Sequence, residues 1–108
     1  MSYDLRVVGP LDEARAAALL AEAGAEGEGG ELHLVLDGVA ASFLVAGGEV
    51  GVGMTTLTDD DAVARAGFRR ALDVVLALGQ ELGAPVYDPQ ADRELTPAGA
   101  EEALRAFG

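Results

Sequence analysis

Two dipeptides, Asp37-Gly38 and Gly47-Gly48, interrupt one stretch of alternating apolar residues and leave that stretch few ways to fold. Asp-Gly and Gly-Gly supply the left-handed backbone that two-residue hairpin loops require. The residues on either side alternate with the period that sends every second side chain to one sheet face. If both loops hold two residues, Leu36 faces Val39, Leu34 faces Ala41 and Leu32 faces Phe43. On the second hairpin Val45 faces Val50, Phe43 faces Val52 and Ala41 faces Met54. All of these are apolar. The opposite face receives His33, Ser42, Gly51, Gly53 and Thr55 among other small or mildly polar residues. A slip of one residue mixes the two sets, so the pattern predicts a three-stranded antiparallel meander over 31–55 with its core face decided.

The flanks follow the same grammar. Tyr3, Leu5 and Val7 alternate with Asp4, Arg6 and Val8, predicting a half-buried strand that ends at Gly9-Pro10. Pro10 suits the first turn of a helix, and Asp12 and Glu13 complement its dipole. The alanine-rich run that follows predicts a helix with Leu11, Ala14, Ala18 and Ala21 on or near one stripe, Leu19 and Leu20 beside it, and Gly24 as its C-cap. Residues 25–30, Ala-Glu-Gly-Glu-Gly-Gly, read as a mobile acidic loop. Thr58 and Asp61 resemble a capping box ahead of a long helix over 60–82. Its expected core stripe is Ala64, Phe68, Ala71, Leu72, Val75, Leu78 and Leu82, with Gly79 allowing close approach to the sheet. Asp61 with Arg65, and Arg69 with Asp73, are spaced to pair along it. Gly83 ends that helix, 84–87 reads as a short strand running into Asp88-Pro89, and Thr96-Pro97 opens a terminal helix reaching about Phe107. The order β-α-β-β-β-α-β-α predicts an α+β two-layer sandwich, a mainly antiparallel sheet with helices on one face, as a single domain over 1–108. The position of strand 3–8 in that sheet stays open.

Charge narrows the function classes. The chain holds 19 acidic and 7 basic side chains, a net charge of −12, and every basic residue is arginine. Lysine, asparagine and isoleucine are absent, a bias that a GC-rich coding sequence produces unaided. The excess of acid is not explained that way. It creates a negative field that repels nucleic acid and anionic membrane and favours cationic partners, while also serving solubility. Part of it has a local purpose, since Asp12, Glu13 and residues 59–61 sit at helix N-termini, and Asp61, Asp73 and Glu101 each have an arginine four residues away. The remainder falls on 22–31 and 88–94. Glu26, Glu28, Glu31, Asp88, Asp92 and Glu94 are therefore the candidate contacts to a protein with a basic surface. With no cysteine, no basic-then-apolar start and no apolar run near the ~20 residues that cross a bilayer, the expected location is the cytoplasm.

No constellation carries catalysis. His33 and Ser42 face each other across two strands, but a nucleophile–base pair also needs an orienting carboxylate and an oxyanion hole, so a solvated polar pair is expected. Gly47, Gly48, Gly51 and Gly53 lack the G-x-G-x-x-G context of a phosphate loop, and a chain without lysine has no Walker lysine. Successive outward glycines at 51 and 53 instead mark close approach of another backbone or a ligand. His33, Ser42, Gly51, Gly53 and Thr55 thus form an alternative site, the ligand face of a homodimeric module. The acids at 59–61, and Asp88, Asp92 and Glu94, lack the spacing of a calcium loop. Arg65, Arg69 and Arg70 form too small a basic spot to hold nucleic acid. The expectation is a small acidic non-enzymatic protein-binding protein with no metal and no cofactor.

Two segments carry a resemblance. Met1-Ser2-Tyr3-Asp4-Leu5 at one end, and Leu78-Gly79-Gln80-Glu81-Leu82-Gly83-Ala84-Pro85-Val86-Tyr87-Asp88-Pro89-Gln90 at the other, resemble small bacterial proteins that begin with an MSYDL strand and close with an alanine–leucine helix leading into V-Y-D-P-Q. Some of these are similar to immunity proteins of polymorphic toxin systems. The resemblance covers the first strand and about residues 68–90. It implies an inhibitor that neutralises a basic protein by presenting an acidic surface, and it assigns no site residue.

Overall fold

A computed structural model describes residues 2–107, with side chains described through residue 105; Met1 and Gly108 lie outside it. The element order is β1 Ser2–Val7, α1 Glu13–Glu22, β2 Glu26–Glu28, β3 Glu31–Leu36, β4 Val39–Ala46, β5 Glu49–Thr56, α2 Asp61–Leu82, β6 Val86–Asp88, β7 Arg93–Leu95, a short 3-10 turn Pro97–Gly99, and α3 Ala100–Phe107. The strands make one antiparallel sheet in the order β2-β3-β4-β5-β1-β6-β7. The fold is α+β.

The meander forms in the expected register. Leu36 pairs with Val39, Leu34 with Ala41 and Leu32 with Phe43, and across the second hairpin Val45 pairs with Val50, Phe43 with Val52 and Ala41 with Met54. β1, which the sequence left unplaced, inserts beside β5, with Leu5 opposite Val52 and Val7 opposite Val50, and pairs on its other side with β6. Apolar residues of β1, β3, β4, β5 and β6 thereby line one face. All three helices contribute to the core over that face, through Ala16 and Leu20 of α1, Phe68, Leu72 and Val75 of α2, and Ala103 and Leu104 of α3. The Phe68 ring packs against Tyr3 at a centroid distance of 5.1 Å.

Several local expectations are corrected. Residues 25–30 are not a mobile loop: Glu26–Glu28 is strand β2, joined to β3 through Gly29 and Gly30, whose φ angles of 63° and 85° make a tight hairpin turn. α1 starts after Asp12, whose carboxylate accepts from the Arg15 amide, and it buries Ala16 and Leu20, so the inward face is the leucine side of the expected stripe and Ala14, Ala18 and Ala21 are exposed. Its C-cap is Ala23, with Gly24 following at positive φ. α2 is capped by Asp60, whose Oδ1 accepts from the amides of Ala62 and Val63. Thr58 supports that cap by accepting from the Asp60 amide, and does not form a capping box with Asp61. Of the expected α2 stripe, Ala64, Phe68, Ala71, Leu72, Val75 and Leu78 are buried, while Leu82 is partly exposed. Gly83 caps the helix in the left-handed conformation. Thr96 and Pro97 do open the terminal helical segment, through the 3-10 turn.

Candidate functional site

With the helices on one side, the other face of the sheet is left uncovered. β4, β5 and β1 lie at its centre. Its outward side chains read in rows across the strands, one running Glu26, His33, Ser42, Gly53, Asp4, and the next Glu28, Glu31, Leu44, Gly51, Arg6, Tyr87, Glu94. Glu26, Glu28 and Glu31 lie toward one edge and Glu94 at the other, so four of the six acidic candidates read from the sequence share this surface with the small-residue face.

The centre of that surface is an open concavity of about 750 Å3, lined by Asp4, Arg6, His33, Ser42, Gly51 and Gly53 among others. The glycines make it. A Cβ added at Gly51 meets nothing nearer than the Leu44 carbonyl at 4.0 Å, and one at Gly53 meets nothing nearer than Asp4 Oδ1 at 3.6 Å. The trough therefore exists because side chains are missing there, not because neighbours crowd them out. Beside it Leu44 and Val35 expose 52% and 65% of their surface, unusual for large apolar residues on a folded domain. Thr55 is exposed on the same face, outside the concavity's lining.

Six acidic side chains share this face: Asp4, Glu26, Glu28, Glu31, Glu49 and Glu94. Among the described residues none of them makes an ion pair. Among the described residues Arg6 is the one arginine on the face, and its guanidinium lies over the Tyr87 ring, 5.6 Å from the centroid. The helical side is different. There Arg15 pairs with Glu81, Arg69 with Glu101, Arg70 with Asp37 and Arg93 with Glu102. Arg69 thus reaches Glu101 of α3 in preference to Asp73, and among the described residues Arg65 and Asp61 make no ion pair.

The remaining candidates divide. Asp88 is not a surface contact: it points inward, is 2% exposed, accepts the Tyr3 hydroxyl, and binds the Gln90 amide, the Gln90 side chain and the Ala91 amide through Oδ1. Burial, followed by the hydrogen bond and negative charge of Asp88, pushes the Tyr3 phenol well above its ordinary pKa. Asp92 sits in the β6–β7 turn and accepts the Tyr87 hydroxyl, a bond that raises the Tyr87 pKa. Gln90 ties this corner to β1, accepting from the Asp4 amide and donating to the Asp4 carbonyl. Nothing in the sequence marked that role, since a V-Y-D-P-Q string shows neither the strand beside it nor the buried tyrosine.

His33 Nδ1 and Ser42 Oγ are 3.2 Å apart, and Glu26 stands across from His33 on β2. The row has the composition of a hydrolytic triad but lacks its chemistry. β4 is flanked by strands on both sides, so the amides around Ser42 are engaged in the ladders and none is left to hold an oxyanion. Among the described residues no three His, Asp or Glu side chains converge as metal ligands do. None of the described helices is long and apolar enough to cross a membrane. No protein-family model matches the chain, and neither curated proteins nor solved structures yield a match.

Proposed function

We propose that this chain is a non-enzymatic binding protein whose uncovered sheet face engages a basic surface on another protein, with an immunity-like inhibitor as the sharpest form of that reading. The observation that carries it is the asymmetry of charge pairing. Among the described residues none of the six carboxylates on this face makes an ion pair, whereas all four ion pairs that arginine makes lie on the opposite side. Unpaired like charges on one face repel one another, and a cationic partner relieves that repulsion while accelerating encounter. The exposed Leu44 adds apolar area at the centre, where interfaces gain most from excluding water.

A second reading, a homodimeric module holding a small ligand over the same face, is favoured by the concavity at Gly51 and Gly53. Small-molecule sites usually enclose most of their ligand, and this one is open along its length, which suits a macromolecular surface better. Co-purification from the native host, followed by affinity measurements on the purified pair at low and high salt, separates the readings. The first expects a partner with a basic surface and affinity that falls steeply as salt screens the carboxylates. A salt-independent complex, or an acidic partner, contradicts it.

A further inference from the structure

Resting on that reading of the uncovered face, we infer the form of the segment it takes: an amphipathic helix lying along β5, its small apolar side chains seated over Gly51 and Gly53, with arginine or lysine on both flanks. The first argument is hydrogen bonding. β4 and β5 are paired on both sides and the Gln90 side chain takes the Asp4 amide and carbonyl of β1, so the centre of the face offers side chains instead of free backbone groups. An extended segment laid on it loses water from its own amides and carbonyls without replacement, whereas a helix satisfies them internally. Strand addition at an edge meets short segments, the three-residue strands β2 and β7 and the three residues of β3 beyond β2.

The second argument is size. The ridges beside the trough, Ser42 and Leu44 on β4 and Asp4 and Arg6 on β1, are two strand steps apart, about 10 Å. That matches the diameter of a helix carrying small side chains. β5 has 8 residues and so extends about 27 Å, the length of a helix of about 18 residues. The third argument is charge on both sides. Glu26, Glu28 and Glu31 lie beyond the β4 ridge, Asp4 stands on the β1 ridge, and Glu94 lies beyond it, so cationic side chains leaving either flank of the helix find carboxylates. Arg6 is drawn toward β6 by its stacking on Tyr87.

The test titrates the full chain at low salt with three synthetic helical peptides of about 18 residues, long enough to span β5. One has an alanine–leucine stripe flanked by arginines, one has glutamine in place of those arginines, and one keeps the arginines but scatters the apolar residues. The first is expected to bind at least about tenfold more tightly than the other two. Gly53→Val is expected to weaken it by a similar factor without lowering the thermal midpoint, because open space surrounds that position. Leu44→Ser, at an exposed site that folding does not depend on, should act in the same direction. If the scattered peptide binds equally well, or both variants bind as the parent does, the helix inference fails and the basic-partner reading survives. If neither cationic peptide binds, the basic-partner reading itself fails. A dimer in sedimentation equilibrium that Leu44→Ser dissociates overturns the inference by making a second copy the occupant of the face.

Discussion

Four glycines contrast the two sides of this sheet. Gly67 and Gly79 lie where α2 crosses the inner face, and there a Cβ is forbidden: at Gly67 it stands 2.3 Å from the Leu36 carbonyl oxygen, and at Gly79 it meets the Ala84 oxygen at 2.8 Å and Val86 Cγ2 at 2.9 Å. Gly51 and Gly53 lie on the outer face, where a Cβ is free. The inner pair is explained by packing. The outer pair is not, and glycine inside a strand sacrifices stability relative to alanine. Ion pairs fall along the same line: among the described residues all four lie on the helical side, which also holds unpaired Glu22, Asp59, Asp61 and Asp73, and none lies on the outer face. What folding does not explain in this molecule is concentrated on one surface.

Substitutions can break or sharpen that contrast. The largest effect belongs to the inner side: Phe68→Ala empties a fully buried position against Tyr3 and should cost about 3–5 kcal/mol in denaturant unfolding. Gly67→Ala should cost about 1–3 kcal/mol by forcing α2 away from Leu36. A neutral result there removes the distinction between the two glycine pairs. Asp88→Ala leaves the buried Tyr3 hydroxyl without its acceptor and should cost about 2 kcal/mol. The tyrosine adds a pH signature. Its folded pKa is raised, so its contribution is fully present below the unfolded value of about 10 and is lost as pH climbs past it, where the unfolded chain ionises and the folded phenol stays protonated. Tyr3→Phe should flatten the alkaline fall in stability more than Tyr87→Phe does, as followed by unfolding midpoints across that range. The smallest effect lies outside and has the opposite sign: Gly51→Ala and Gly53→Ala should each raise stability by about 0.5–1 kcal/mol. Destabilisation at these two positions breaks the contrast at its weaker end.

The contrast was half legible in the sequence. The meander register could be read because Asp37-Gly38 and Gly47-Gly48 fix both turns, and the register they set brings Leu32, Leu34 and Leu36 opposite apolar residues while His33 falls opposite Ser42. β2 escaped notice although Gly29-Gly30 is the same dipeptide as Gly47-Gly48. Glu26-Gly27-Glu28 has no apolar member to alternate, and its strand form is imposed by pairing with β3. Asp88 looked like a surface acid because its partner Tyr3 lies at the far end of the chain, a contact that exists only once β1 has inserted between β5 and β6. That insertion also brings Glu94 onto the face that carries Glu26 and His33. Glu26, Glu28, Glu31 and Glu94 and the small-residue face were nameable from the sequence, but their meeting on one surface depended on the strand order.

Amide chemical-shift mapping of the full chain, titrated at low salt with the arginine-flanked helical peptide, tests the central claim most directly. The account predicts perturbations centred on His33, Leu44, Gly51, Gly53 and Arg6, extending to Glu31 and Glu94 and fading as salt is raised. Perturbations centred instead on the groove between α1 and α2, at Leu19, Val74 and Ala77, would place binding on the helical side and contradict it.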